Sequence, residues 1–597
     1  MQPKRLLSGF LMVLLLAGWT LPGGGTPAAS ASSPDQALAR VEPLVLEELA
    51  ARGQTDFFVW MVEKADLSPA YQLQTKQEKG RFVFNALVET AERTQKDLRR
   101  YLDAQGVSYE PFYIANKILV RGGNQALLLA VAARPDVERI TANHQYQLEE
   151  PIVSPNPPPK VTAVEPNLSF IFADQVWAMG VTGSGIVLAG NDTGLDETHP
   201  AIARHYRGCL NPPSCTSWDH NYNWWDATNT YPTNPNDGHG HGTHTTGTMI
   251  GDDGGANQIG VAPGAQTIHC KNMTNTGTGN DATFTTCFQW DLAPWDLNHQ
   301  NPQPDLAPDA INNSWGYWGG GQNQFRDEIL ALHAAGILVE VSAGNEGTAC
   351  ATLRSPGDYQ EVLTTGSVDH IGQTFPGIIT VAPTWSTSRG PSDLDGNYFP
   401  DIMAPGNTIR SSLPGNQYAY WGGTSMAGPH ATALVGLMWS ACPSLRGQVE
   451  QTIQIIRDTA GPLTGQYGSN CGGNYTTGPN NDWGMGTINT LAAVQMAIAQ
   501  CAGIGHLDGH VRDAVTLLPL QEATVTAAWE HGGQWQDETD ATGYYTLTLP
   551  NGGYTVTATF FGYISETVTG VQVITDQVTT QDLYLTCLLY TSDAADD

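Results

Sequence analysis

"GIVLAGNDTGLDETHP", Gly185 to Pro200, starts as a short apolar run and breaks into a polar turn. A continuous apolar run of this length, bounded by glycines, reads as a strand buried on both faces, as in parallel sheets covered by helices. The pattern recurs downstream: "AINNSWG", "ILVEVSAGN" and "EVLTTGSVD" are strand-like, and "DEILALHAAG" is a helix stopping at Gly336. The alternation predicts an α/β domain on a mainly parallel sheet with helices on both faces, and such sheets carry their sites at the carboxyl ends of strands. Asp192 stands at such an end, where a buried carboxylate is costly unless partnered. By itself it reads equally well as a turn former, a metal ligand or a catalytic group.

Other grammars flank this core. From about residue 35 to 150, "DFFVWMVEKA", "YIANKILVRG" and "VERITAN" are strands. Leu87, Ala91, Thr94, Leu98 and Leu102 recur at helical spacing before Gly106, and "NQALLLAVAARP" is a second helix. The order is β-α-β-α-β with room for one more strand, a small α+β unit. The proline-rich stretch Pro151 to Asn167 reads as an extended linker. From Gly505 to about residue 586, "ATVTAAWE", "YYTLTLP", "GYTVTATFFG" and "VTTQDLYL" alternate with period two, predicting an antiparallel β-sandwich. Residues 587–597 break that pattern and read as a tail of doubtful origin.

Residues 1–31 read as a secretory leader: Lys4 and Arg5, an apolar core, then "AASAS" with Ala29 and Ala31 at a cleavable A-x-A. Its apolar core is shorter than the ~20 residues a span needs, and no later segment is apolar enough, so no membrane anchor is expected. The net charge of −31 opposes nucleic-acid binding and favours solubility outside the cell. Nine cysteines in an exported chain suggest disulfides. Spacing favours Cys209 with Cys215 and Cys270 with Cys287, and more weakly Cys442 with Cys471; Cys350 and Cys501 have no evident partner. No C-x-x-C pair is present.

Three further stretches carry candidate chemistry. "NDGHGHGTHTTGTM" holds His239, His241 and His244 at spacings of two and three with no glutamate between, which does not match a helical metal pair. Its glycines suggest a loop turning into a helix. "VEVSAGNEG" brings the amide of Asn345 to a strand end, where it can donate to an oxyanion. "GGTSMAGPHATALVGLM", Gly422 to Met438, puts Ser425 where an apolar helix begins, as a cap or as a nucleophile. Pro429 lacks an N–H, so the Ser425 carbonyl is expected to be free of the usual helical bond.

Together, in this order, "NDTGLDETHP", "GHGTHTTGTM", "VSAGNEG" and "GGTSMAGPH" resemble the subtilisin-like serine peptidases. The order Asp, His, Ser is that family's and not the trypsin-like one. The resemblance implies a triad of Asp192, His241 and Ser425, with Asn345 and the Ser425 N–H holding the oxyanion. Ser314, Trp315, Gly316 and Gly344 match its substrate-groove segments, where backbone pairs with extended substrate. Trp315 reads either as narrowing a side-chain pocket or as packing. "HNYNWWD", "IGVAPGA", "CKNM" and "INNSWG" look most like the bacillopeptidase F group. The terminal β-domain is similar to carboxypeptidase-regulatory (prealbumin-like) domains.

The resemblance therefore implies a secreted serine endopeptidase with a leader at 1–31, a chaperone and inhibitory propeptide at 35–150, and a linker opening the mature enzyme at 151–170. The peptidase domain would span 171–500 and the β-domain 505–586. Its partners would be polypeptide substrates and its own propeptide, in a monomer. No cofactor is required for such chemistry. Structural calcium is conceivable through Asp252, Asp253 and Asn257, although Ala201 stands where the family often has a carboxylate ligand. Two rivals are a catalytically silent binding protein of the same fold and a metallohydrolase built on the histidine cluster.

Overall fold

The computed structural model describes residues 37–154, 164–317, 319–370, 384, 386–463, 470–530 and 534–588. The leader and residues 589–597 lie outside them.

The first unit runs α1 (Pro43–Arg52), β1 (Gln54–Met61), α2 (Lys76–Gln105), β2 (Tyr109–Phe112), β3 (Lys117–Asn124), α3 (Gln125–Ala132) and β4 (Val137–Ala142). Its sheet order is β2-β3-β1-β4, with β1 antiparallel to both neighbours. β2 is the additional strand that the sequence left room for; α1 had no counterpart in the sequence reading. α2 starts at a reciprocal capping box, Thr75 with Glu78, and ends at Gly106 with φ +63°. Alternation along β1 splits the sheet. Phe57 and Val59 face the unit's own core with Leu98 and Leu102, whereas Phe58 and Trp60 share a core with Phe288 and Trp290 of the next unit.

That interface also buries charge. Lys117 Nζ lies 2.5 Å from Glu328 Oε1 with both side chains sequestered, and Gln289 Oε1 accepts the Tyr113 N–H at 2.7 Å. From here the chain continues through β5 (Gln145–Gln147) and β6 (Ile152–Val153), each paired to the central unit.

The central unit contains β7 (Val187–Asp192), β8 (Trp224–Asp226), α4 (His241–Ile250), β9 (Gln266–Lys271), β10 (Thr278–Asn280) and α5 (Asp281–Leu292). Then come β11 (Ala310–Asn313), α6 (Arg326–Ala334), β12 (Leu338–Ser342), β13 (Leu363–Val368), β14 (Ile402–Pro405), β15 (Ile409–Leu413), β16 (Gln417–Gly422) and α7 (Thr424–Ala441). Seven strands form a parallel sheet in the order β14-β13-β12-β11-β7-β9-β8. Successive residues face opposite layers: Leu188, Ala310 and Leu338 pack with Leu434 and Leu437 of α7, and Ala189, Ile311 and Val339 pack with Phe284 of α5 and Leu332 of α6. Helices on both faces explain why these strands read as unbroken apolar runs. Chain order reverses between β7 and β11, a topological switch point that opens a crevice beyond their carboxyl ends.

The last unit is a two-layer β-sandwich around Leu507, Val525, Leu547 and Val556. It is antiparallel except that its first strand, Ile504–Asp513, runs parallel to Val578–Thr580 and to the last strand, Leu583–Cys587.

Four disulfides are present among the described residues: Cys209–Cys215, Cys270–Cys287, Cys350–Cys471 and Cys442–Cys501. The first two follow the spacing argument. The expected Cys442–Cys471 pair is incorrect, because Cys442 caps the end of α7 and meets Cys501 at the end of the packed helix Thr490–Cys501. Cys471 closes instead on Cys350, 121 residues away in sequence, a contact that spacing does not predict.

Candidate active site

Three adjacent strand ends and two helix starts meet at the crevice. Asp192 ends β7, Ser314 to Gly316 leave β11, and Gly344 and Asn345 follow β12. His241 opens α4 and Ser425 is the second residue of α7.

Asp192 and His241 are fully buried and tightly coupled. Nδ1 of His241 lies 2.8 Å from Oδ1 and 2.9 Å from Oδ2 of Asp192. The carboxylate also accepts the Thr193 N–H at 2.7 Å and the Thr245 hydroxyl at 3.2 Å. Burial by itself would raise the Asp192 carboxyl, but the His241 imidazolium and the Thr193 N–H hold it below its ordinary value. Burial would likewise lower His241, and the Asp192 charge outweighs it, so the imidazole is raised above its ordinary 6.5.

One carboxylate unmentioned by the sequence reading positions both. Asp237 Oδ1 accepts the Gly240 N–H at 2.8 Å and the hydroxyl of Thr193, beside Asp192, at 2.9 Å. Its Oδ2 accepts the N–H and hydroxyl of Thr243 at 2.9 and 2.8 Å, tying down the first turn of α4. Gly240 enters the helix with φ +99°, a conformation that favours glycine. The "NDG" before the histidines was the available signal.

Ser425 is not a cap: Gly423 occupies that position and the serine side chain makes no capping bond. Its hydroxyl donates to the Ser314 carbonyl at 3.2 Å. Nε2 of His241 has no hydrogen-bond partner among the described residues, so the arrangement is closed between Asp and His and open between His and Ser. Such bonds commonly tighten only when substrate is bound. The Ser425 carbonyl, freed by Pro429, accepts the Ser314 hydroxyl at 3.1 Å, as expected from the proline. Asn345 Oδ1 accepts the N–H and hydroxyl of Thr424 at 2.9 and 3.1 Å, which leaves the NH2 end of the amide as the donor. Thr424 thereby fixes the orientation of the Asn345 amide.

Ser314, Trp315, Gly316, Gly344, Asn345 and Ser425 line one pocket. Trp315 serves mainly as packing: its ring lies among Phe284, Phe288 and Phe325, and its Nε1–H donates to the Asn191 carbonyl at 3.1 Å. Among the described residues, the three histidines do not gather into a set that could ligate a metal ion. His244 stacks on Trp421 at 4.6 Å and burial depresses it to about 3, and His239 lies 3.4 Å from Glu150. The conceived calcium ligands do not form a cage for a hard cation. Asp253 accepts its own loop's Gly255 and Asn257 N–H groups, Asn257 Oδ1 accepts from Arg410, and Asp252 Oδ2 lies 3.7 Å from Arg204.

The family model described as "Subtilase family" matches residues 183–486, and the model for the carboxypeptidase regulatory-like domain matches residues 506–586. The chain belongs to the subtilase family. It is 32% identical over 571 residues to bacillopeptidase F of Bacillus subtilis, a match covering 89% of this chain and 38% of that protein. It is 29% identical over 297 residues to subtilisin E of the same species, covering 48% of this chain and 66% of that one. The chain thus spans well under half the length of bacillopeptidase F. Among solved structures, fervidolysin from Fervidobacterium pennivorans, described as a keratinolytic enzyme related to subtilisin, shares the fold with a TM-score of 0.50 at 18% identity, over 89% of this chain and 78% of that one.

Proposed function

We propose that this chain is a secreted serine endopeptidase made as a self-processing zymogen. The observation that carries the reading is the buried Asp192–His241 pair at 2.8 Å, set at the same strand edge as Ser425 and the donor end of Asn345. Ser425 Oγ attacks a peptide carbonyl and His241 takes its proton, then passes it to the departing amine. Asp192 holds the imidazole in orientation and stabilises its charged form. Asn345 and the Ser425 N–H receive the oxyanion. Water then hydrolyses the acyl-enzyme, and none of these steps calls on a metal or cofactor.

Residues 35–150 act as the propeptide in this reading, residues 171–500 as the peptidase domain and residues 505–586 as an appended fold. Support for the propeptide role comes from its shared core with α5 and α6 and from its last strand, β5, which pairs with β10 of the central unit. Export rests on residues 1–31 and on the charge of −31, and the working unit is a monomer acting on polypeptides.

The test is incubation of purified protein with a peptide library and mapping of cuts by mass spectrometry. Cuts by the wild type and none by Ser425→Ala are expected. Hydrolysis that survives Ser425→Ala and stops with a chelator would overturn the reading in favour of metal chemistry.

A further inference from the structure

The chain running into the proline-rich stretch is laid across the cleft on both sides of Ser425. On one side, Gln145, Tyr146 and Gln147 pair antiparallel with Asn280, Gly279 and Thr278, and the Leu148 N–H donates to the Gly277 carbonyl at 2.8 Å. On the other, Ile152 and Val153 pair with Gly422 and Trp421, and the Ser154 N–H donates to the Tyr420 carbonyl at 3.0 Å. Only Glu149, Glu150 and Pro151 lie between the two ladders. Glu149 lines the pocket that holds Ser314, Asn345 and Ser425, while Glu150 faces His239.

The carboxylate of Glu149 accepts from the Arg354 guanidinium at 2.5 Å. Arg354 is built into the pocket wall, its side chain only 3% exposed. A Cβ on Gly316 would come within 2.9 Å of its Cβ, and one on Gly344 within 3.0 Å of its Cγ, so both groove glycines leave the space its stem fills. Glu346 at the rim also pairs with the guanidinium, which keeps the cation in place when the cleft empties. A buried guanidinium forms strong charge-assisted bonds to carboxylates, and a site built around such a bond rejects side chains that cannot complete it.

We propose that Arg354 selects a glutamate side chain on the residue whose carbonyl Ser425 attacks, and that the chain first cuts itself between Glu149 and Glu150. The proposal rests on the serine-peptidase reading above. In the cut, Ser425 Oγ bonds to the Glu149 carbonyl carbon, and the bond to the Glu150 nitrogen breaks. The serine proton travels through His241 to that nitrogen, and water releases Glu149 as a carboxylate. Substrates in trans are then polypeptides cut after glutamate.

The test uses the full chain and a peptide series differing only at the residue before the cut: Glu, Gln, Phe and Lys. The expected results are a mature amino terminus at Glu150, kcat/KM for Glu at least about 10²-fold above Gln and Phe, and collapse of the Glu-to-Gln ratio toward one in Arg354→Gln. In the zymogen, Glu149→Gln should slow self-cleavage about tenfold or more without disturbing the fold, and Glu346→Gln should sharpen the Glu preference. Equal cutting after Phe and Glu, or unimpaired processing of Glu149→Phe at the same bond, would overturn this proposal alone. A wild-type chain that neither cuts any peptide nor reacts with a serine-directed probe would overturn the serine-peptidase reading as well.

Discussion

Nδ1 of His241 sits 2.8 Å from Oδ1 of Asp192, with neither side chain open to solvent. Because the ring is held at Nδ1, its other nitrogen is directed away from the carboxylate, the orientation a general base needs. Asp192→Asn keeps the shape but loses the charge and favours the wrong tautomer. Turnover is expected to fall by about 10⁴-fold with little change in KM, measured by steady-state kinetics on a cleaved peptide. A loss below tenfold would remove Asp192 from the mechanism.

The same pair sets a pH dependence. The raised His241 keeps its proton, and stays inactive as a base, to a higher pH than a free imidazole. The acid limb of kcat/KM should therefore inflect above 6.5, activity rising with pH through it. In Asp192→Asn the largest charge opposing burial is gone, with only Asp237 and Glu150 left against it, and the inflection should move downward. A limb unmoved by that substitution would assign it to another group.

Asn345→Leu removes the donor while preserving approximate volume, and is expected to lower turnover by ~10²- to 10³-fold with little effect on substrate binding. Thr424→Val, which strips one of the two bonds orienting that amide, should lower turnover less and leave KM alone. Unchanged turnover in Asn345→Leu would rule out the oxyanion role.

The buried Lys117–Glu328 pair joins the first unit to α6. Lys117→Ala leaves a carboxylate uncompensated in the docked state, at a cost of about 3–5 kcal/mol. Inhibition of the matured enzyme by the variant propeptide added in trans should weaken by at least ~10²-fold. Equal inhibition would show that the pair contributes nothing to docking.

His144 adds a pH term to the same docking. Burial would lower it, but bonds to Asp281 at 2.7 Å and Glu42 at 2.9 Å carry it to about 10. Glu42 stays beside it in the undocked unit, so only the Asp281 share belongs to docking, and that share disappears as pH climbs through about 10. Propeptide inhibition should weaken over that window, and His144→Asn should flatten the profile.

Much of this architecture was legible locally. The run ending at Asp192 reads as a buried strand because α7 covers one face and α5 with α6 the other, so no polar alternation survives. Pro429 signalled a free Ser425 carbonyl from a single missing N–H. What was not legible depended on distant partners: the Cys350–Cys471 bridge, the reach of Asp237 back to Thr193, 44 residues away, and Arg354 with Glu149, 205 residues apart. No local pattern encodes such meetings, which arise only when the parallel sheet brings strand ends together. The three-residue strand Trp224–Asp226 escaped for a related reason, being held only by pairing to β9.

The proposed mechanism makes Ser425 an activated nucleophile, and covalent capture reports that activation at the atom concerned. The matured protein is treated with a serine-directed fluorophosphonate and the adduct is located by peptide mass spectrometry. One adduct is expected, on Ser425, forming more slowly below the His241 inflection and absent from Ser425→Ala. Labelling at another residue, or no labelling of protein that still cleaves peptides, would contradict it.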